Sequence, residues 1–294
     1  MIFKFFNDYF YRGNITHGTM NKVSILIANY NNGKFFLECY NSIINQTYNN
    51  WEVIIVDDAS TDDSIEIIKS IIQNDNRFKL YQNSSNKGCG FTKRECMEHA
   101  TGDICAYLDP DDALYPIALE ESIEEYLFND KIVATYSKMM MCDENLNPQK
   151  TFSATKQIFN DKYFFNCPIQ FSHFFTFKRE TYLKTQGINP DLKSAVDQDL
   201  YLKILEFGNA AFINEDLYQY RLHSFGISQQ GSKQRAKDSF AKVIHETMKR
   251  RGIKTINNQD VPEQFTNPEE IFQLLQYQTA PLFRIRNKLK LTFL

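Results

Sequence analysis

The chain has 294 residues and a mass of 34.5 kDa, enough for one large domain or two modest ones with a proper core. Apolar residues make up 43% and charged residues 23%, which excludes disorder or low complexity as its main character. Lys plus Arg number 33 against 36 Asp plus Glu, for a net charge of −3, and without a basic excess the chain does not read as a nucleic-acid binder.

The pattern begins with Ile2, Phe5, Phe6, Tyr9 and Phe10 at helical spacing, an amphipathic segment with Asp8 inside it and so no signal peptide. It suits a membrane interface or a docking site on the protein body, or else Met20 is the natural start. From Lys22 to about Lys138, short apolar runs alternate with helical patterns. Val23–Ile27 reads as a strand buried on both faces, ending in the turn-forming Ala28–Gly33. Phe36, Leu37, Tyr40, Ile43 and Ile44 mark a helix face. Val53–Val56 is a second strand, closed by Asp57-Asp58, and Thr61 can cap the helix that follows, with Ile65, Ile68, Ile71 and Ile72 inward. Phe78–Tyr81 is a third strand, Asn86–Gly90 a loop, and a helix runs to Ala100. Ile104–Leu108 is a fourth strand, stopping at Asp109-Pro110-Asp111-Asp112, with a helix to about Tyr126 and a strand over 132–136. Beyond Lys138 the pattern is mixed: strands over 171–177 and 211–220, a helix from Val196 to Leu205, and a helical, mostly polar remainder from about Ser232.

Repeated strand–helix units argue a parallel α/β sheet with right-handed crossovers. Ligands in such sheets bind outside the carboxyl ends of the strands, where three polar clusters gather: 29–32, 57–58 and 109–112. The cysteines Cys39, Cys89, Cys96, Cys105, Cys142 and Cys167 form no C-x-x-C pair and read as reduced thiols of a cytosolic protein. No run approaches the roughly 18 apolar residues of a membrane span. The stretch from Leu282 sets Arg284, Arg286, Lys288 and Lys290 among apolar residues with no acid. It suits an anionic membrane surface, or equally a frayed or packed terminal helix.

Carboxylates two apart in an extended turn project to one side, so Asp109 and Asp111 can hold a hard divalent cation, or the segment is simply a turn and helix cap. Asp57-Asp58 can cap a helix or accept hydrogen bonds from a base or ribose, and Tyr30 can offer a stacking face. The Gly88-Cys89-Gly90 run is a weak dinucleotide signal. Arg94 on the following helix can reach phosphates or stay solvated. Asp197 and Asp199 open a helix about 200° apart, so at most one enters a cleft. There it can serve as a general base, or both can simply answer the helix dipole.

These segments together resemble the family 2 glycosyltransferases of the GT-A fold. The resemblance is carried by Val23–Asn31, Ser42 to Gln46-Thr47, Glu52–Asp62, Asn86-Lys87-Gly88, Arg94, Ala100–Asp103 and Leu108–Asp112. It continues in Ala195-Val196-Asp197-Gln198-Asp199-Leu200 and in Tyr220-Arg221-Leu222-His223, with Ser228 behind. It spans about Asn21 to Ser228 and implies an α/β GT-A (Rossmann-like) fold with a mostly parallel central sheet flanked by helices. The expected layout is an amphipathic extension over 1–20, a GT-A domain over 21–231 (nucleotide half 21–138, acceptor half 139–231) and a C-terminal helical extension over 232–294.

By resemblance, Ala28, Tyr30 and Asp58 hold the base and ribose of a nucleoside diphosphate sugar, most commonly a UDP-sugar, and Arg94 sits near its phosphates. Asp111 is the main ligand of Mn²⁺ or Mg²⁺, with Asp109 supporting the ribose or a metal-bound water. His223 closes over the metal or diphosphate, or is a loop histidine. Asp197 is the base. Val196 stands where the family commonly has Glu, which keeps Asp197 as the base but leaves the contact that supports it open, and Glu95 stands where Asn often follows the Arg. The implied reaction is inverting transfer of one sugar to a hydroxyl of a glycan or lipid-linked glycan, since the Gln-x-x-Arg-Trp motif of processive synthases is missing and the one Trp is Trp51. The expected place is the cytoplasm, with peripheral contact on the inner face of the plasma membrane, in bacterial surface polysaccharide synthesis such as capsule or lipopolysaccharide. The expected acceptor-side residues are Phe164, Phe165, Phe171 and His173. The alternatives are a nucleotidyltransferase, against which the non-basic 28–33 turn speaks, and a non-catalytic nucleotide- or glycan-binding module.

Overall fold

The computed structural model describes residues 21–73, 75–224 and 233–292. The expected 1–20 extension, Ser228 and Phe293 lie outside them. Strands β1 (Val23–Asn29), β2 (Trp51–Asp57), β3 (Phe78–Gln82) and β4 (Ile104–Tyr107) are joined by helices α1 (Phe36–Ile44), α2 (Ser64–Ile72) and α3 (Cys89–His99). Next come β5 (Ala113–Leu114), α4 (Ala118–Phe128), β6 (Ile132–Cys142), β7 (Pro148–Thr151) and β8 (Phe175–Lys178). Helices α5 (Arg179–Lys184) and α6 (Val196–Ile204) lead to β9 (Asn209–Arg221). The chain continues through α7 (Lys233–Arg250), the short strands β10 (Thr255–Ile256) and β11 (Gln259–Asp260), α8 (Pro268–Leu275) and α9 (Pro281–Leu291).

The main sheet runs β3-β2-β1-β4-β8-β6-β9-β5, with β7 on β6. Strands β1 to β4 pair in parallel, and β8 is antiparallel to both its neighbours. Because β6 and β9 run with the first four strands, the sheet is mostly parallel. Covered on both faces, β1 and β2 are almost entirely buried, as their apolar runs require. One core, with Leu26, Ile54, Val56, Phe177 and Leu200, lies under α3 and α6; the other, with Ile25, Ile27, Val53, Ile55 and Phe36, lies under α1, α2 and α4.

Some local expectations are corrected. The α1 face is Phe36, Cys39 and Ile43, while Leu37 and Ile44 are exposed. Thr61 does not cap α2, which starts at Ser64 after Asp63; its backbone N–H and hydroxyl pair with the Asn31 side chain instead. Strand β8 starts only at Phe175, because the preceding segment turns through a loop held by Asn166, whose side chain bonds the backbone of Gln170 and Phe171. The C-terminal part adds the β10–β11 hairpin to its helices and has its own core, in which Phe165 meets Ile244, Met248, Ile271 and Leu275.

Candidate active site

A cleft of about 170 Å³ opens at the carboxyl ends of β1 and β4. Ala28, Lys93, Asp109, Asp111, Asp197 and His223 all line it, with Lys193 and Arg221 beside them. Residues separated by up to 195 positions meet there because both sheet halves end on this edge.

The 109–112 turn is clamped from below. Tyr218 donates its hydroxyl to Asp112 Oδ2 at 2.7 Å, and the Arg221 N–H donates to Asp112 Oδ1 at 2.8 Å. The β5–β9 pairing, Ala113 opposite Gln219, brings these strands into register. The Arg221 guanidinium donates to the Asp111 carbonyl at 2.6 Å and lies over the Phe35 ring, on which His223 also packs. Asp112 is therefore part of the frame, and Asp109 and Asp111 are left to face the cleft.

His223 Nε2 sits 2.7 Å from Asp111 Oδ2. Burial first, then the Asp109 charge, push the Asp111 carboxyl above its ordinary value, against the pull of His223. An acid crowded by another acid gains from a cation, so this donor set fits a hard divalent ion. Among the described residues no three His, Cys, Asp or Glu side chains converge at ligand spacing. Asp111 and His223 would be the protein's share, with phosphate oxygens and water completing the sphere, as Mg²⁺ and Mn²⁺ favour.

Asp197 is brought in by an unusual turn. Ala195, the residue before α6, has φ +58°, a left-handed conformation that an L-residue holds only when its surroundings over-determine it. The first turn of α6 then points Asp197 into the cleft. Asp199 faces away, accepting from the Asn189 N–H and the Lys203 ammonium, as a 200° offset demands. Burial alone would raise the Asp197 carboxyl; the Lys93 ammonium, and then His173, outweigh it and hold it below the usual range. Val196 packs into the core, and the Asp197 carboxylate is contacted instead by Lys93.

Lys93 is the residue that sequence reasoning missed. It is 3% exposed, donates to Asp197 Oδ1 at 2.7 Å and pairs with Asp109 Oδ1 at 3.1 Å. A signal was present: Cys89, Lys93, Cys96 and Met97 recur on one helix face, and a lysine in a buried stripe demands a specific acidic partner. Cys89 also lines the cleft, but burial pushes its thiol up to about 12, so it stays protonated and is no nucleophile.

Three expected residues are placed otherwise. Arg94, one step of 100° further around α3, points away from the cleft and donates to the carbonyls of Gln186 and Ile188, so it is not brought to a phosphate position. Asp58 is buried, with both oxygens occupied by Asn83 Nδ2 and the backbone N–H groups of Lys87 and Gly88; it anchors the 83–88 loop. Tyr30 stands 43% exposed at the end of β1, beside the cleft but not in its lining. On the acceptor side, Phe165 and Phe171 are core residues, and Phe164 lines a separate cavity. Of that group only His173 acts on Asp197, and its ring stacks on Tyr218.

The fold is the GT-A fold of glycosyltransferases. The glycosyl transferase family 2 model matches residues 24–184, more than half of the chain, and the protein belongs to that family as a glycosyltransferase. Among curated relatives it is 31% identical to chondroitin synthase of Escherichia coli over 84% of this chain and 36% of that protein. It is 28% identical to hyaluronan synthase of Pasteurella multocida over 87% of this chain and 26% of that protein. The chain thus spans about a third or less of these relatives. Among solved structures, S. aureus TarS 1–349 in complex with UDP-GlcNAc superposes with a TM-score of 0.64 at 20% identity, over 86% of this chain and 70% of that one. The mannosyltransferase PcManGT from Pyrobaculum calidifontis, in complex with GDP-Man and Mn²⁺, gives 0.57 at 15% identity over 94% and 76%.

Proposed function

We propose that the protein transfers a single sugar, with inversion, from a nucleoside diphosphate sugar to a hydroxyl of a glycan or lipid-linked glycan in the synthesis of a bacterial surface polysaccharide. UDP-sugar is the favoured donor. The observation that carries this reading is the convergence of Asp109 and Asp111 with Asp197 across one cleft. Acids that suit a metal-bound diphosphate face an acid placed to act as a base. The relatives named as polysaccharide synthases and the UDP-GlcNAc bound to TarS support the substrate classes.

The cleft volume suits a diphosphate and the reacting end of a sugar, since ligand pockets for whole drug-sized molecules are about 300 Å³ or more. The nucleoside then lies outward, over Tyr30 and against the loop that Asp58 holds. Asp197 accepts the proton of the acceptor hydroxyl as the acceptor oxygen bonds to the anomeric carbon. The bond from that carbon to the β-phosphate oxygen breaks on the opposite face, and the electron pair leaves with the nucleoside diphosphate. One displacement inverts the centre, so no second nucleophilic carboxylate is required. A divalent ion held by Asp111 and His223 would neutralise charge on the departing diphosphate. The division at 138 and 231, the cytoplasmic place and contact with the membrane's inner face through α9 belong to the same proposal.

Calorimetric titration of UDP, GDP and dTDP, with Mn²⁺ and then with EDTA, tests the site. Binding should need both metal and Asp111, so Asp111→Asn should abolish it even with Mn²⁺ present. Asp197→Asn should keep nucleotide binding and lower transfer by about 10²–10⁴, the range for a positioned general base. Unchanged transfer would falsify the assignment of the base. Nucleotide binding with no turnover on any acceptor would favour a non-catalytic module.

A further inference from the structure

Lys93 belongs to neither partner it touches. It rises from the buried face of α3, its carbonyl receives the Tyr107 hydroxyl at 2.6 Å, and its ammonium lies 5.3 Å from the centre of the Tyr107 ring. The ammonium spans the gap between the donor-side acid Asp109, at 3.1 Å, and the acceptor-side base Asp197, at 2.7 Å. A cation buried this deeply stays only because both acids neutralise it. Its position raises a chemical conflict. A base whose best lone pair is held by an ammonium is a poor proton acceptor, yet the reaction needs that oxygen.

The donor resolves the conflict. A nucleoside diphosphate brings at least two negative charges into the cleft that Lys93, Asp109 and Asp197 line together, and charge–charge interactions are strong in so enclosed a place. Phosphate oxygens then compete with Asp197 for one ammonium. We propose that Lys93 is a positioning residue that couples donor occupancy to the base. Without donor it ties Asp197 down; with donor it turns toward the diphosphate and releases the Asp197 oxygen to the acceptor. The ion pair thereby keeps the base from activating water or acceptor in an empty site. The inference rests on the transferase reading of the cleft.

Because Asp197 and the diphosphate compete for Lys93, removing the Asp197 charge should strengthen nucleotide binding through Lys93 and through nothing else. The test is a double-mutant cycle read by calorimetry in Mn²⁺ buffer, using whichever of UDP, GDP and dTDP binds the native protein best. Asp197→Asn should tighten binding by about tenfold, the scale of one buried charge-assisted contact. In a Lys93→Met background the same change should leave affinity unaltered, whereas a Lys93→Arg background should keep the gain. Lys93→Met leaves two acids facing each other, so Lys93→Gln provides a second neutral background should that variant fold poorly. Tightening of equal size in the neutral backgrounds would mean simple repulsion between Asp197 and the diphosphate and would overturn the coupling. No tightening with Lys93 present would show a static structural tie and overturn it as well. If none of the three nucleotides binds the folded native protein, the reading of the cleft itself fails, a result distinct from binding without coupling.

Discussion

Glu52 shows how one buried charge is made tolerable outside the active site. It sits 3% exposed at the start of β2 and accepts from Lys22, Lys79, Ser24 and Thr101, the last through both hydroxyl and backbone N–H. Burial alone would raise its carboxyl, but these donors outweigh burial and hold it far below the ordinary glutamate value. A depressed folded value contributes stability that is present above about pH 4.3 and lost as the pH falls through the folded value. Glu52→Gln should therefore cost about 2 kcal/mol at neutral pH, because its donors lose a charged acceptor. That difference should shrink as urea melts are repeated at pH 4 and then pH 3. A constant difference across that range would show that packing, and not charge, is what Glu52 supplies. The same logic made Lys93 detectable in principle, yet its two partners lie 16 and 104 positions away and only folding joins them.

At the scale of elements, the site depends on how closely α3 approaches the loop before α6. Gly90 N–H donates to the Leu192 carbonyl at 2.9 Å. A Cβ at Gly90 would stand 2.5 Å from that oxygen and 2.6 Å from the Asn189 carbonyl. Both obstacles are backbone, so the loop itself must move. Gly90→Ala should cost about 1–3 kcal/mol as an overpacked site. It should also depress transfer by more than stability predicts, because the displaced loop leads through Ala195 into the first turn of α6, which carries Asp197. Thermal melts beside transfer rates check this, and a fully active variant would show that the loop adjusts without moving the base. Periodicity identified α3 and α6 from the chain alone. Their contact was not legible, since a glycine chosen for closeness reads in sequence like any loop glycine.

At the scale of the molecule, charge is unevenly spread. The chain carries −3 overall, yet α9 bears Arg284, Arg286, Lys288 and Lys290 and no acid. Phe283, Arg284, Asn287, Lys288 and Leu291 line the cavity shared with residues 156–170, and Lys290 pairs with Asp161, while Leu282, Ile285 and Leu289 are 82%, 57% and 58% exposed on the opposite side. An outward apolar stripe on a helix that carries four cations and no acid is a pattern of interfacial helices, and no helix among the described residues is long and apolar enough to cross a membrane. The full chain should co-sediment with vesicles containing anionic phospholipid and not with neutral ones. Leu282→Glu combined with Ile285→Glu should abolish that binding while leaving nucleotide affinity unchanged. Equal sedimentation with both vesicle types, or none, would exclude an electrostatic membrane contact through this helix.

The amino-acid pattern alone carries the strand–helix alternation, the parallel run of β1 to β4 and the acids at their ends, because buried parallel strands and polar strand ends leave a local signature. It also separated Asp197 from Asp199, since helix geometry alone turns one away from the other. Packing selected which neighbour on a helix reaches the cleft, Lys93 and not Arg94, and it turned Asp58 and Asp112 into anchors of the frame. It alone closed Lys93 onto Asp109 and Asp197. Such choices depend on which distant backbone lies against each helix face, and that information is carried by packing between segments and not by the order of residues within any one of them.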